Sequence, residues 1–172
     1  MSWCLRISKA LIEQIRSDLK RPHSHAAERV GVVFAQMGNV QGKELLLLPT
    51  RYEPVLDQEY IEDRFVGARI GSAPIRRAMQ TILSEGLGAF HVHTHEHRGR
   101  PRFSRVDLQH LPPLVQSFRS VGPRLAHGAL LLSDDQCACL VWLPGKSESS
   151  ADGRIAVVGR PMQFYEAGAL YG

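Results

Sequence analysis

The segment His91-Val92-His93-Thr94-His95-Glu96-His97, followed closely by Ser104-Arg105-Val106-Asp107, decides how the fold is interpreted. Its four histidines occupy every second position, and side chains on a β-strand alternate between the two faces. An extended strand would therefore turn all four imidazoles the same way. Apolar residues before the histidines predict a buried strand over residues 89–95, and the pattern after them predicts a helix over residues 104–121. Imidazoles from the strand and a carboxylate from the first helical turn would then meet.

Two imidazole nitrogens and one carboxylate oxygen form a ligand set that suits Zn²⁺. Such a set leaves a fourth position open for water, as a catalytic zinc site requires. Histidine runs also occur as surface patches or as expression tags. A tag is terminal, whereas this run is internal and follows an apolar strand. The pattern therefore indicates a metal site of the hydrolytic type.

The same residues resemble the motif of the JAMM, or JAB/MPN, metalloproteases. That motif is an upstream Glu, then His-[Ser/Thr]-His, seven residues, Ser, two residues and Asp. The matching residues of this chain are Glu28, His93-Thr94-His95, Ser104 and Asp107. As in the family, the glutamate stands just ahead of an apolar strand, and a helix precedes it. The resemblance extends from the first predicted strand to about Leu143.

Two features depart from the family pattern. Glu96 stands where the family usually has Pro, and eight residues rather than seven separate His95 from Ser104. If His95 were paired with His97 instead, six residues would separate the pair from the serine, so the spacing leaves both pairs open. We favour His93 and His95 because a threonine lies between them, as the motif requires.

The resemblance implies a role for each motif residue. His93, His95 and Asp107 would hold the metal, which is expected to be zinc and to lower the pKa of its bound water to about 7. Glu28 would act as general base towards that water and pass the proton to the leaving amine. Ser104 would donate a hydrogen bond to the oxyanion of the tetrahedral intermediate. The expected reaction is hydrolysis of an amide or isopeptide bond.

Each of these residues also has an ordinary structural interpretation. Glu28 could be a solvated residue before a strand. Ser104, with Asp107 three residues later, has the spacing of a helix N-terminal capping pair, and a cap can coexist with an oxyanion contact. His110, one helical turn past Asp107, is interpreted as a surface or packing residue. The remaining histidines are interpreted as structural or exposed; they are His23, His25 and His127.

The resemblance further implies a substrate. The expected enzyme is a zinc-dependent isopeptidase that cleaves after the C-terminal tail of ubiquitin or a ubiquitin-like protein, for deconjugation or precursor processing. The chain looks like the short bacterial members that accompany ubiquitin-like conjugation machinery, some of it in antiphage defence. Activating and conjugating enzymes of that pathway are expected partners. The alternatives are a catalytically inactive MPN-type scaffold module and a metallohydrolase of small amides or sulfur-carrier conjugates.

Length and composition limit the number of domains and the class of protein. The chain has 172 residues, of which 44% are hydrophobic, and these values predict one globular domain over residues 1–172. It has no run near the roughly 18 to 20 apolar residues of a membrane span, and its first residues lack a signal-peptide layout, so we expect a cytoplasmic protein without membrane contact. A net charge of +4 and 7% aromatic residues do not favour nucleic-acid binding.

The order of elements predicts a mixed α/β protein. The resemblance specifies it as a JAB/MPN-like curved mixed sheet flanked by helices, with the layering of cytidine deaminases. Predicted strands cover residues 3–7, 30–36, 44–49, 89–95, 126–133, 138–143 and 154–158, and predicted helices cover residues 9–19, 74–85 and 104–121. Residues 37–42 are expected to be a hairpin loop. Pro112 and Pro113 are expected to kink or split the last helix.

Two further groups of residues stand out. Four arginines crowd the loop beside the predicted metal site and could form a docking strip for an acidic partner surface or for the tail of a substrate protein; they are Arg98, Arg100, Arg102 and Arg105. They could equally be ordinary solvated residues of a loop. Cys137 and Cys139 share one face of a predicted strand, and we expect them to be small buried packing residues. Three cysteines in total argue against a disulfide framework.

Overall fold

The computed structural model describes residues 2–24, 26–40, 44–63 and 67–166. Within these ranges one mixed sheet has eight strands and is accompanied by three α-helices and a short 3₁₀ turn at Asp57–Glu59. The strands are β1 Ser2–Ser8, β2 Val30–Val40, β3 Glu44–Pro54, β4 Gly88–Thr94, β5 His127–Leu132, β6 Cys137–Trp142, β7 Gly153–Val158 and β8 Gln163–Glu166. The helices are α1 Lys9–Leu19, α2 Ser72–Glu85 and α3 Arg105–Val121.

The strands are ordered β6-β5-β4-β2-β3-β1-β7-β8 across the sheet. Strand β1 is parallel to both of its neighbours, and β4 is parallel to β5; the other neighbouring pairs are antiparallel. The two ends of the sheet lie close together. The Tyr165 hydroxyl on β8 donates to the Asp135 carbonyl in the β5–β6 turn at 2.9 Å. The predicted mixed α/β class is confirmed.

Helices cover both faces of the sheet. On β2, Val33 and Ala35 pack in one cluster with α1, whereas Val32 and Phe34 pack in another with α2 and α3. A strand that is buried on both faces needs apolar residues at consecutive positions, which explains the uninterrupted hydrophobic run of β2. The same alternation places the odd-numbered residues of β4 on the face towards α2 and α3.

Helix α1 has the bounds that the sequence predicts. The Ser8 side chain caps its N-terminus by accepting from the Leu11 amide at 3.2 Å. Four apolar side chains at helical spacing are buried against the sheet, and burial of each stabilises the fold by about 1.5–3 kcal/mol; they are Leu11, Ile12, Ile15 and Leu19. Pro22 follows shortly after the last turn.

Two expectations about local structure are wrong in part. Strand β2 continues to Val40, so the predicted loop over residues 37–42 is strand in its first part, and residues 41 and 42 lie outside the described residues, as does His25. The last helix is not split at Pro112 and Pro113, since α3 runs through both prolines from Arg105 to Val121. Both prolines face solvent, where water can hydrate the carbonyls that they leave unpaired. Within the described ranges, no helix combines the length and apolarity needed to cross a bilayer.

His127 at the start of β5 is a structural residue. Its ring is fully buried, its Nδ1 accepts from the Ala89 amide at 3.1 Å, and its Nε2 lies 2.9 Å from the Gly122 carbonyl. Nε2 is therefore the donor of a neutral imidazole. Burial lowers the pKa of His127 and the charge of Arg119 lowers it further, while the Gly122 carbonyl raises it.

We expect His127→Ala to lower the free energy of unfolding by about 3 kcal/mol at pH 7.5, because a cavity and two unpaired backbone groups remain. The pKa of His127 in the folded state is below the unfolded value of about 6.5. The contribution of His127 to the free energy of unfolding is therefore complete above a pH of about 6.5 and is lost as the pH falls through the folded-state pKa. Urea unfolding at pH 7.5 and 5.5 should show a smaller gap to wild type at pH 5.5. A gap that widens on acidification would contradict this. The control is His110→Ala at an exposed position, with a change within about 0.5 kcal/mol.

Candidate metal centre

Strand β4 and helix α3 bring the predicted metal ligands together. Strand β4 lies between β2 and β5, and α3 is the crossover between the parallel strands β4 and β5. Such a crossover returns the helix over the face of the sheet. The end of β4 and the start of α3 therefore lie side by side, and this is where the histidine run and Asp107 meet.

Three side chains converge at this point. His93 Nε2 lies 3.2 Å from Asp107 Oδ1, and His95 Nε2 lies 3.6 Å from Asp107 Oδ2. One ligand atom from each of the three residues lies within 4.8 Å of the other two. Ligand atoms at the usual distance from a tetrahedral zinc ion are about 3.4 Å apart. The two distances from the imidazole nitrogens to the Asp107 oxygens are close to that value, so the group could hold a metal ion.

His93 provides a separate observation in favour of a bound cation. Its side chain is 1% exposed, and neither ring nitrogen forms a hydrogen bond with the described part of the chain. A buried polar atom without a partner costs about 1–3 kcal/mol. A metal ion on Nε2 would remove that cost at the atom that faces Asp107.

Asp107 is held by the first turn of α3. The Ser104 amide donates to Asp107 Oδ2 at 2.7 Å, and the Asp107 amide donates to Ser104 Oγ at 3.1 Å, which is a reciprocal capping box. Burial raises the pKa of Asp107, but the adjacent His93 imidazole and the Ser104 hydrogen bonds outweigh burial and hold this pKa well below the usual range. The carboxylate is therefore ionised at neutral pH, as a metal ligand must be.

The structure brings His93 and His95 against Asp107, and it leaves His97 apart. His97 is exposed, and its Nδ1 lies 2.9 Å from the Arg98 carbonyl. Burial lowers the pKa of His95, and His93 lowers it further, against opposing contributions from Asp107 and Glu28. His95 therefore favours the neutral form, which is the form that binds metals.

Glu28 and Ser104 line the same cavity as the three candidate ligands. The cavity has a volume of about 650 Å³, and part of its wall is apolar, formed by Val30, Ile70, Ile75, Leu111 and Leu114. The negative charge of Glu28 raises the pKa of His95. The Ser104 oxygen accepts from an amide, so its O–H hydrogen can still donate into the cavity. All five residues that the sequence singles out therefore meet in one place.

His91 also belongs to this cavity, although the sequence does not identify it as a functional residue. It lies one strand repeat before His93, with the two ring centroids 5.3 Å apart. Burial lowers the pKa of His91 to about 3, with a further contribution from His93. Its buried Nδ1 has no hydrogen-bond partner among the described residues. A neutral imidazole here can donate a hydrogen bond to a bound molecule or accept one from it. The sequence could have identified His91 from its position on the same strand face as His93 and His95.

The arginine strip comprises Arg98, Arg100 and Arg102 on the loop between β4 and α3, and Arg105 at the first position of α3. All four of its side chains are exposed, whereas Pro101 and Phe103 between them are buried and anchor the loop. Arg100 donates to the Glu166 carbonyl on β8 at 3.3 Å. The strip thus faces outward beside the candidate metal centre.

Cys137 and Cys139 are packing residues, as expected. Both are buried in the cluster that α1 covers, and burial raises the pKa of each thiol, that of Cys137 to about 12. They remain protonated at neutral pH and take no part in the centre.

Comparison with known proteins gives little further guidance. No protein-family model and no curated protein matches this sequence. Among solved structures, the chain is similar to the N-terminal domain of STIL from Trichoplax adhaerens, with 9% sequence identity and a TM-score of 0.40. The match covers 80% of this chain and 41% of that chain, so this chain spans about two fifths of its length. A similarity of this degree carries no argument about function, which has to be inferred from the site.

Proposed function

We propose that this chain is a zinc-dependent peptidase of the JAMM type, with a JAB/MPN-like fold. In this proposal it hydrolyses an amide or isopeptide bond after the C-terminal tail of a ubiquitin-like protein. The observation that carries the proposal is the convergence of His93, His95 and Asp107, whose ligand atoms lie within 4.8 Å of one another. Glu28 and Ser104, the other two residues of the motif, line the same cavity.

The donor set favours zinc. Imidazole nitrogens with one carboxylate oxygen suit Zn²⁺, whereas Mg²⁺ and Ca²⁺ prefer oxygen ligands throughout. His93, His95 and Asp107 would hold the ion. When bound, zinc would supply a water of pKa about 7 and polarise the scissile carbonyl.

The remaining chemistry is assigned to the side chains around the ion. Glu28 would take a proton from the attacking water and deliver it to the leaving amine. The Ser104 hydroxyl would donate to the oxyanion, because the Asp107 amide occupies only an acceptor position of this oxygen. His91 would stay neutral in the cavity and offer a hydrogen bond to the bound chain.

A protein substrate is supported by the surroundings of the centre. The cavity is of the size that binds ligands or short peptide segments. The exposed arginine strip beside it could contact an acidic surface on the body of the same substrate, which a small amide would not need. Activating and conjugating enzymes of a ubiquitin-like pathway, including an antiphage one, are proposed partners on the basis of the motif alone.

The test combines metal analysis with a cleavage assay. We expect purified protein to contain about one zinc per chain and to cleave a ubiquitin-like fusion after its tail. A chelator should abolish cleavage, and added zinc should restore it. Protein without zinc that cleaves nothing would instead support an inactive MPN-type scaffold. Zinc-dependent hydrolysis confined to small amides or sulfur-carrier conjugates would support a different metallohydrolase.

A further inference from the structure

We propose that Gly67 is a positioning residue for Glu28. The Gly67 carbonyl holds the Glu28 backbone, and the absence of a side chain at Gly67 leaves the space that the Glu28 carboxylate occupies. The Gly67 carbonyl accepts from the Glu28 amide at 2.9 Å. A Cβ atom placed on Gly67 would lie 2.6 Å from Glu28 Cδ, 2.7 Å from Oε2 and 2.9 Å from Oε1. The carboxylate therefore packs directly on the Gly67 Cα. This inference rests on the proposed role of Glu28 as the general base.

Space, rather than backbone conformation, is what requires glycine at this position. Gly86, which ends α2, has a φ of 66° in the left-handed region, where a side chain is strained. Gly67 is not among the glycines with such a φ. An alanine would therefore fit the backbone at position 67, and its methyl group would collide with the Glu28 carboxylate.

The segment that carries Gly67 is fixed to the sheet. Ile61 donates to the Arg69 carbonyl at 2.8 Å, and Tyr60 and Ile70 form an antiparallel bridge. The Tyr60 hydroxyl in turn accepts from the Val30 amide of β2 at 2.8 Å. Gly67 consequently has a defined position relative to the start of β2, just after Glu28.

The backbone beside Glu28 is fixed from the other side by Arg29. This side chain is 3% exposed, and its guanidinium donates to the Arg21 and Pro22 carbonyls at 2.7 and 2.8 Å and to Asp57 Oδ1 at 2.6 Å. With the backbone held on both sides, the flexible part of Glu28 is its side chain. A methyl group at position 67 would therefore displace the carboxylate and leave the fold intact.

The test compares Gly67→Ala with Gly71→Ala as its matched control. A Cβ on Gly71 would meet only the Glu59 carbonyl, at an ordinary 3.5 Å, and Gly71 has a φ of −73°. We expect both variants to fold and to bind one zinc. Gly67→Ala should lower kcat by about 100-fold with little change in KM, because a base displaced by about 1 Å loses roughly that factor. Gly71→Ala should keep the wild-type rate.

A double variant separates positioning from a general structural effect. If Gly67 acts through Glu28, Gly67→Ala in a Glu28→Gln background should cost no further activity. A loss that multiplies with that of Glu28→Gln, or a Gly67→Ala enzyme with wild-type kcat, would overturn the proposal.

A crystal structure of Gly67→Ala provides a readout without activity. We expect its Glu28 carboxylate to be displaced from the wild-type position, and an unmoved carboxylate would overturn the inference. The position of the carboxylate can be measured even if the wild-type protein hydrolyses nothing. The crystal structure therefore tests the positioning of Glu28 by Gly67 separately from the proposed peptidase activity.

Discussion

Glu28→Gln is expected to bind one zinc per chain with wild-type affinity and to lower kcat by about 10³-fold. The amide has nearly the shape of the carboxylate and can occupy the same space against Gly67, but it cannot accept a proton from water. Metal affinity should be retained because Glu28 is not in the group of three candidate ligands. Metal content by mass spectrometry and steady-state cleavage of a tailed ubiquitin-like fusion would measure the two effects.

Glu148→Gln, at an exposed position that does not line the cavity of the candidate centre, is the matched control and should leave both quantities unchanged. A second comparison is His95→Ala, which should lose zinc together with activity, because His95 Nε2 is one of the converging ligand atoms. If Glu28→Gln cleaved at the wild-type rate, the general base would have to be another group.

Substitution of Asp107 should separate its two roles. Asp107→Ala removes both a metal ligand and the acceptor for the Ser104 amide, whereas Asp107→Asn retains an acceptor oxygen for that amide. We expect both variants to lose at least about 100-fold in zinc affinity, since loss of an outer-shell partner alone costs 10–100-fold. Only Asp107→Ala should also lower the free energy of unfolding of the metal-free protein, by about 1 kcal/mol, through loss of the cap.

Calorimetric zinc titration and urea unfolding after chelator treatment would measure these effects. Wild-type zinc affinity in Asp107→Asn would remove Asp107 from the ligand set. Equal unfolding free energies for the alanine and asparagine variants would show that the bond from the Ser104 amide to the side chain of residue 107 does not stabilise α3.

Local signals predicted most of the regular structure. Helix α1 has the predicted bounds because Ser8 caps it and Pro22 follows its end. The expected loop over residues 37–42 was wrong for residues 37–40, and the reason is tertiary. Gly38 and Asn39 have turn propensity, but they pair with Leu46 and Leu45 in the β2–β3 ladder, and cross-strand pairing outweighs that propensity. Strand β8 was not predicted, because its order comes from pairing with β7 rather than from an apolar pattern of its own.

The candidate ligands were predictable because they lie within one β4–α3 unit, where strand and helix periodicity determine their directions. The choice between His93/His95 and His95/His97 was not settled by the spacing. It depends on where α3 begins relative to the end of β4, and the Ser104 cap determines that. Gly67 had no local signal at all. Its relation to Glu28 arises from the packing of two segments that are distant in the chain.

The capping box at the start of α3 affects whether a cation would bind before or after the chain folds. Ser104 and Asp107 orient each other through hydrogen bonds within the helix, so the carboxylate takes its position as the helix forms, without help from an ion. Small zinc domains differ, because their ligands assemble only around the metal and removal of the ion unfolds them. In this chain the metal would load after folding, leave without unfolding the protein, and exchange for cobalt or cadmium in the native state.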